Sequence, residues 1–310
     1  MGPLEGVPTV RITNQFRQDQ SVREIQGNLG RMADLQRQVA TGKRFSRAEE
    51  DPLGAAQVLR ARQGQRAIDQ YTKNGINAQV RIGAEEAVVK HFDELLRQGR
   101  DSALSFAKGD PPYTAAQITQ RQVATTHLDR LLDEAVALGN TKIGSEYILA
   151  GEQSTTPPFD PTAGPTLGNY QGGTSQRRVE IADGVQVAVN HTGNQFVGPA
   201  IAALKALRNA IDPANGQTEA QVQIEVDNVS TASQNLLVSQ VQTGTTANQV
   251  ASTLTTNISR KNDLENLRAT VEDVQLEEAV AKLLSLQTTI QASYSATSRL
   301  INLSLSDYLK

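Results

Sequence analysis

Residues 276–310 read LEEAVAKLLSLQTTIQASYSATSRLINLSLSDYLK, and their spacing decides the fold class. Leu276, Val280, Leu283, Gln287, Ile290, Tyr294, Thr297 and Ile301 alternate steps of four and three residues without a break. That repeat sets one residue per turn on a single stripe of an α-helix. Gln287 and Thr297 are polar, as in seams that specify register at some cost in stability. So narrow an apolar stripe must be covered by another helix.

The first candidate partner lies at the other end of the chain. From Asn14 to about Thr41 the residues Val22, Ile25, Leu29, Met32 and Val39 fall on the same three and four spacing, with Gln36 filling the one polar step. The two ends can meet only if the chain folds back on itself. Residues 11–47 hold eight basic and three acidic side chains, whereas 263–310 hold four basic and seven acidic. Opposite net charge favours the pairing, although exposed pairs contribute only about 0–1 kcal/mol each and could equally solvate two separate faces.

Working inward, Gly42 is placed to stop the first helix after Thr41. Asp51-Pro52 restarts one, with Asp as N-cap and Pro at the first helical position. The next helix is expected from Pro52 to about Lys108, weakened by about 1 kcal/mol at each of Gly64, Gly75, Gly83 and Gly99. Gly109-Asp110-Pro111-Pro112 ends it. A third helix, Thr114 to about Asn140, follows so short a connection that the two should lie antiparallel. At Gly144 the character changes. SEYILAG (145–151) reads as a strand, and 151–200 hold eight Gly and five Pro without helical period. Val179, Ile181, Val185, Val187 and Val189 flank Asp183-Gly184, a favoured hairpin turn. Helical spacing returns at Pro199, turns at Asp212-Pro213 to Gly216, and runs on through a long seam to Val274 in which Gln240, Asn257 and Lys261 are polar and Gly244 interrupts. The fold class is therefore mainly α: a long antiparallel helical rod formed by N- and C-terminal segments, with a β-rich inserted outer domain.

The composition agrees. Aromatic residues are 4% of the chain, Trp and Cys are absent, and the 38% hydrophobic content is mostly Ala, Val, Leu and Ile, which suits helix-on-helix packing. A net charge of -3 gives no reason to expect nucleic acid or an anionic membrane as partner. Disulfides, thiolate metal sites and cysteine nucleophiles are excluded. No apolar run reaches the roughly 20 residues of a membrane span or forms the core of a classical signal peptide, so export would need another route. MGPLEG at 1–6 has no periodicity and is set aside from the fold argument.

Catalytic chemistry finds no footing. His91, His127 and His191 are far apart and outside metal-ligand spacings. GxGxxG, GxxxxGK[ST] and GxSxG do not occur, and Gly172-Gly173 precedes no helix that could cradle phosphate. Adjacent acids such as Glu85-Glu86 and Glu277-Glu278 point apart on a helix. No enzyme, metal or cofactor is expected. An activity or glycan-binding role in the β-rich insertion is the alternative from another class, supported only by a hairpin and polar loops.

Four stretches taken together carry a resemblance: VRITNQF (10–16), LQRQVATGKRFSRAEEDPLGAAQVLR (35–60), LGNTKIGSEYILAGEQSTTPPF (138–159) and LSLSDYL (303–309). Their order and spacing resemble the flagellin superfamily. The resemblance implies an extracellular structural component of the bacterial flagellum, exported without a classical signal peptide. The ending Asp307-Tyr308-Leu309 points to a member joining hook to filament, the alternative being flagellin itself, the bulk filament subunit. Implied partners are other copies of the chain in a ring or helical layer, flagellin, the adjacent hook-associated junction protein, and an export chaperone at the C-terminal helix. Residues 10–43 and 276–310 would form an inner coiled-coil layer, 44–150 and 199–275 a helical rod, and 151–198 the outer insertion. The assembly interface would use Ile25, Leu29, Met32, Val39, Leu276, Val280, Leu283, Ile290, Tyr294 and Ile301, with Thr41, Gly42, Asp51 and Pro52 shaping the cap and loop. The terminal pairing is expected to be latent in the free subunit and completed by neighbours.

Overall fold

A computed structural model of the chain describes residues 14–162, 164 and 166–308, with the backbone alone at 14, 15, 17, 18 and 300–308. Among the described residues seven α-helices and a 3-10 turn at Pro213–Asn215 carry it: α1 Asn14–Thr41, α2 Pro52–Phe106, α3 Ala115–Gly139, α4 Gly193–Phe196, α5 Gly198–Ile211, α6 Glu219–Glu272 and α7 Leu276–Tyr308. Two antiparallel hairpins complete it, β1 Lys142–Ile143 with β2 Glu146–Tyr147, and β3 Arg178–Ala182 with β4 Val185–Ala188. The expected positions 10–13 and 309–310 lie outside the described residues.

The helix ends obey local chemistry. Gly42 takes the left-handed conformation (φ 69°) and its N–H donates to Gln38 C=O at 2.8 Å, closing α1. The Asp51 carboxylate accepts from Gly54 N–H at 2.8 Å to open α2. At α3 the Thr114 hydroxyl accepts from Gln117 N–H while the Gln117 side chain accepts from Thr114 N–H at 2.8 Å, a reciprocal capping box.

The chain divides into two units. The first comprises residues up to Gln65 together with Asn262 onward, and the second comprises Arg66–Lys261. In the first, α1 packs on α7 within a single chain, so the terminal pairing is formed without neighbours and is not latent as expected from the sequence. The end of α6 sits against the start of α2, where Gly64 gives Leu264 room: a Cβ there would stand 2.9 Å from Leu264 Cδ1.

In the second unit a continuous core joins Phe92, Leu95 and Leu96 of α2, Leu128, Leu131 and Leu132 of α3, Leu204, Leu207 and Ile211 of α5, and Val222, Val226 and Val229 of α6. Burying each such side chain contributes about 1.5–3 kcal/mol. α2 and α3 run antiparallel: His91 pairs with Glu134, Gly99 faces Leu128, and Gly109 faces Gln117. Three α2 glycines that local propensity marks as weak points are close-approach sites. A Cβ at Gly75 would stand 2.7 Å from Leu254 Cδ2 and one at Gly99 2.8 Å from Leu204 Cδ2, as at Gly64, whereas Gly83 faces open space.

The β-rich stretch shares its core with the helices. Ile148, Leu149 and Phe159 join the main cluster, and Ile181, Val187 and Val189 pack with Ala78, Ile82 and Val250. Of SEYILAG only Glu146–Tyr147 is strand. The rest turns back, because the fully buried Ile148 and Leu149 are drawn into the helical core. The hairpin at Asp183-Gly184 forms with Gly184 at φ 69° and a register shift between Glu180 and Ala182. Gly244 does not interrupt α6. Asn257, polar on the seam, is buried and donates to Ile181 C=O at 2.8 Å, which anchors that hairpin to α6.

Candidate functional site

The terminal helix pair, all within the first unit, is the candidate assembly surface. The end of α1 meets the start of α7: Leu35 and Gln38 share a cleft with Gln275, Glu278 and Lys282, while Arg31 lines a neighbouring one with Ser285 and Thr289. Moving back along α1 moves forward along α7, so the two are antiparallel. The covered stripe of α1 runs through the buried Ile25 and the half-buried Asn28, Met32, Leu35 and Val39. That of α7 runs Ala279, Leu283, Leu286, Ile290, with Ala279 and Ile290 buried and the two leucines half-buried. Both keep the alternating three and four repeat.

α7 thus carries two overlapping stripes. Leu283 and Ile290 of the expected set face inward, but Leu276, Val280 and Tyr294 stay exposed at 50%, 39% and 53%, and Leu284 at 58%. On α1, Leu29 joins Val22 and Phe16 on the exposed side, at 36%, 46% and 52%. Ile301 lies in α7 where the backbone alone is described. The structure therefore brings Ile25, Met32, Val39, Leu283 and Ile290 together and leaves Leu29, Leu276, Val280 and Tyr294 on the outside of the pair. Ala279, Leu35 and Leu286 were not singled out by the spacing argument. Their signal was present, since Ala279, Leu283, Leu286 and Ile290 form a second four-three-four register in the same residues.

Charge does not run along the pair. Among the described residues no ion pair joins α1 to α7; the acid of Glu278 binds Lys282 on its own helix, and Arg37 binds Asp34 and Glu50. Opposite charges meet at the junction. Glu272, 4% exposed, accepts from Lys43 Nζ at 2.7 Å, Arg62 Nη2 at 2.7 Å and Arg268 Nη1 at 2.9 Å. Burial alone would raise its carboxyl, but the hydrogen bonds from Lys43, Arg268 and Arg62 prevail and hold it at about 2. The backbone follows suit: Arg44 N–H donates to Glu272 C=O at 2.7 Å, and Val274 N–H to Gly42 C=O at 2.9 Å.

The loop residues fall around this junction. Thr41 Oγ1 donates to Arg37 C=O at 2.8 Å, and Asp51 combines its cap with an ion pair to Arg44 at 2.7 Å. Thr41, Lys43, Phe45, Pro52, Leu59 and Arg62 border an open groove of about 770 Å³. The arrangement offers apolar stripes and a braced loop. Among the described residues no group of three His, Cys, Asp or Glu could hold a metal, and no helix is long and apolar enough to cross a membrane.

Comparison with known proteins places this geometry. Residues 12–154 match the bacterial flagellin N-terminal helical region. Flagellar hook-associated protein 3 of Escherichia coli is 23% identical over 322 residues, covering 96% of this chain and 98% of that protein. The chain thus resembles the flagellin superfamily through its N-terminal region and hook-associated protein 3 along nearly its whole length. Flagellar hook-associated protein 3 of Salmonella typhimurium is 24% identical over 188 residues, 60% of this chain and 56% of the relative. The flagellar junction protein FlgL of Legionella pneumophila shares the fold at a TM-score of 0.53 and 16% identity, over 71% of this chain and all of that one. The region matched to the flagellin N-terminal helical region takes in α1, α2, α3 and the first hairpin.

Proposed function

We propose that the chain is a structural component of the bacterial flagellum that joins hook to filament, assembling through α1 and α7. The observation that carries it is the second stripe of α7, Leu276, Val280, Leu284 and Tyr294, left uncovered by the pairing with α1 in a chain similar along nearly its whole length to hook-associated protein 3. An exposed apolar stripe on a helix already paired on its other face suits contact with a neighbouring subunit.

On this reading residues 10–43 and 276–310 form the inner layer of the assembly, 44–150 and 199–275 the next, and 151–198 the outer face. The partners are further copies of the chain in a ring or helical layer, flagellin on one side, and the adjacent hook-associated protein on the other. An export chaperone would cover α7 before assembly, and the protein would leave the cell without a classical signal peptide. The role is structural and needs no catalytic residue.

Bulk filament formation is the competing reading, and it has a direct test. Purified protein incubated with filament seeds should fail to elongate them beyond a short cap, as seen by electron microscopy. Long filaments of this chain alone would overturn the junction role.

A further inference from the structure

The geometry points to a binding cleft in the second unit that takes a small molecule through one oxyanion, a carboxylate or a phosphate, on Arg177 and Arg81. This is a property separate from assembly and does not rest on the junction role.

The cleft holds about 270 Å³ and is lined by Asn74, Asn77, Ala78 and Arg81 from α2, Ile143 from β1, and Arg177, Val179 and Val189 around the β3–β4 hairpin. Sites for drug-sized ligands run from about 300 Å³ upward, so this one suits a smaller body, about one sugar ring. Asn74, Asn77 and Arg81 follow steps of three and four and so share one face of α2. Asn74 is held by Glu180 C=O and Gln70, which leaves Asn77 and the arginines as the polar groups open to a ligand. The apolar Ile143, Val179 and Val189 form the rest. A few convergent polar groups on an apolar lining is the usual make-up of a ligand site.

The two guanidiniums are unequally engaged. Arg81 and Arg177 share a single acid, Glu146, which accepts from Arg81 and, at 3.4 Å, from Arg177 Nη1. The next acid, Glu85, is taken up elsewhere: its carboxylate accepts from His191 N–H at 2.8 Å and meets His191 Nδ1 at 2.8 Å. Glu85 keeps its charge near Arg81, so what the cleft offers an anion is unused guanidinium N–H groups, not a net positive charge. Burial pushes the Arg81 guanidinium down, and the nearby Arg177 charge pushes it further, with Glu85 opposing. Glu146 relieves part of that repulsion, and a ligand oxyanion on the free donors of Arg177 would relieve more.

Donors are to hand. Among the described residues the Arg177 side chain makes that one long contact, and a guanidinium has five N–H groups in a planar fork that matches an oxyanion bidentately. Its side chain is 53% exposed, within reach of a ligand entering from solvent. The Asn77 carboxamide, exposed beside it, has no hydrogen-bond partner among the described residues.

The test is isothermal titration of the full chain at low salt, where exposed charges are little screened, with sodium glucuronate, inorganic phosphate and glucose in separate runs. The same titrations on Arg177→Gln and Asn77→Ala, with thermal melts of both, separate binding from folding. We expect saturable binding of glucuronate or phosphate and none of glucose. Arg177→Gln should weaken that binding roughly tenfold or more, as loss of a charge-assisted pair would, with an unchanged melting temperature, and Asn77→Ala should weaken it less. Binding of glucuronate alone identifies a carboxylate ligand, and of phosphate alone a tetrahedral one; either supports the cleft. Absence of binding, equal heat from glucose, or undiminished affinity in both variants overturns it.

Discussion

At Glu272 one carboxylate receives cations from three separate stretches of chain: the loop after α1, the first turns of α2, and its own helix. Charge-assisted hydrogen bonds of this kind contribute about 1.5–3 kcal/mol, less where, as here, Lys43 and Arg62 are nearly half exposed. Glu272→Gln should therefore lower stability to chemical denaturation at neutral pH by about 1–3 kcal/mol. The pH dependence has a defined sign. The folded carboxyl sits at about 2 against an ordinary value of 4.5, so its contribution is complete above about 4.5 and disappears as pH falls toward 2. Stability difference between wild type and Glu272→Gln, followed by denaturant titration from pH 6 to pH 2, should shrink over that window. A constant difference would mean that lost packing, not charge, explains the variant.

Two glycines on one helix make a second residue-scale case. Gly83 meets nothing within 4 Å and is exposed, while a Cβ at Gly75 would stand 2.7 Å from Leu254. In a helix interior Ala is favoured over Gly by about 1 kcal/mol. Gly83→Ala should raise the melting temperature, and Gly75→Ala should gain less or lose stability as Leu254 is displaced. Equal stabilisation by both would show that Leu254 moves freely.

At the scale of elements, α7 shows both the reach and the limit of sequence reading. The ends of helices were legible because their chemistry is local: Thr41-Gly42, Asp51-Pro52 and Asp183-Gly184 all sit where the chain stops, starts or turns. The Thr114 and Gln117 box is equally local and could have been read. Which stripe of α7 faces α1 was not legible. The two registers share Leu283 and Ile290, and the choice between Leu286 and Tyr294 depends on what α1 presents opposite. Small Ala279 lets the helices approach where the larger Val280 turns outward. The Glu272 cluster was hidden for a related reason, its partners at 43 and 62 being far away in sequence. Opposite net charge at the two ends was a true signal attached to the wrong place, since it is discharged at the junction and not along the pair.

This two-faced α7 yields opposing expectations. Ile290→Asp puts a carboxylate on the buried stripe of α7 and should uncouple α1 from α7 in the free subunit, seen as faster amide exchange in both helices. Val280→Asp, on the outer stripe, should leave exchange and melting of the free subunit within about 0.5 kcal/mol of wild type. It should nonetheless reduce incorporation into flagella. If Val280→Asp assembles normally, the outer stripe is not the contact surface.

For the whole molecule, the division into two units makes a prediction about deletion. Removing residues 276–310 strips α1 of its cover but leaves the core of Arg66–Lys261 with all its buried contacts among α2, α3, α5 and α6. The truncated protein should still unfold cooperatively on heating while failing to assemble. The mainly α fold was legible at this scale from spacing alone. The way the hairpin stretch shares its core with the helices was not, because Ile148, Leu149 and Phe159 carry no helical period and their burial depends on distant residues.

The central claim is that this chain stands between hook and filament. Immunogold electron microscopy on isolated flagella, with antibody raised to residues of the second unit, tests it most directly. The account predicts gold confined to the boundary of hook and filament; gold along the whole filament would contradict it.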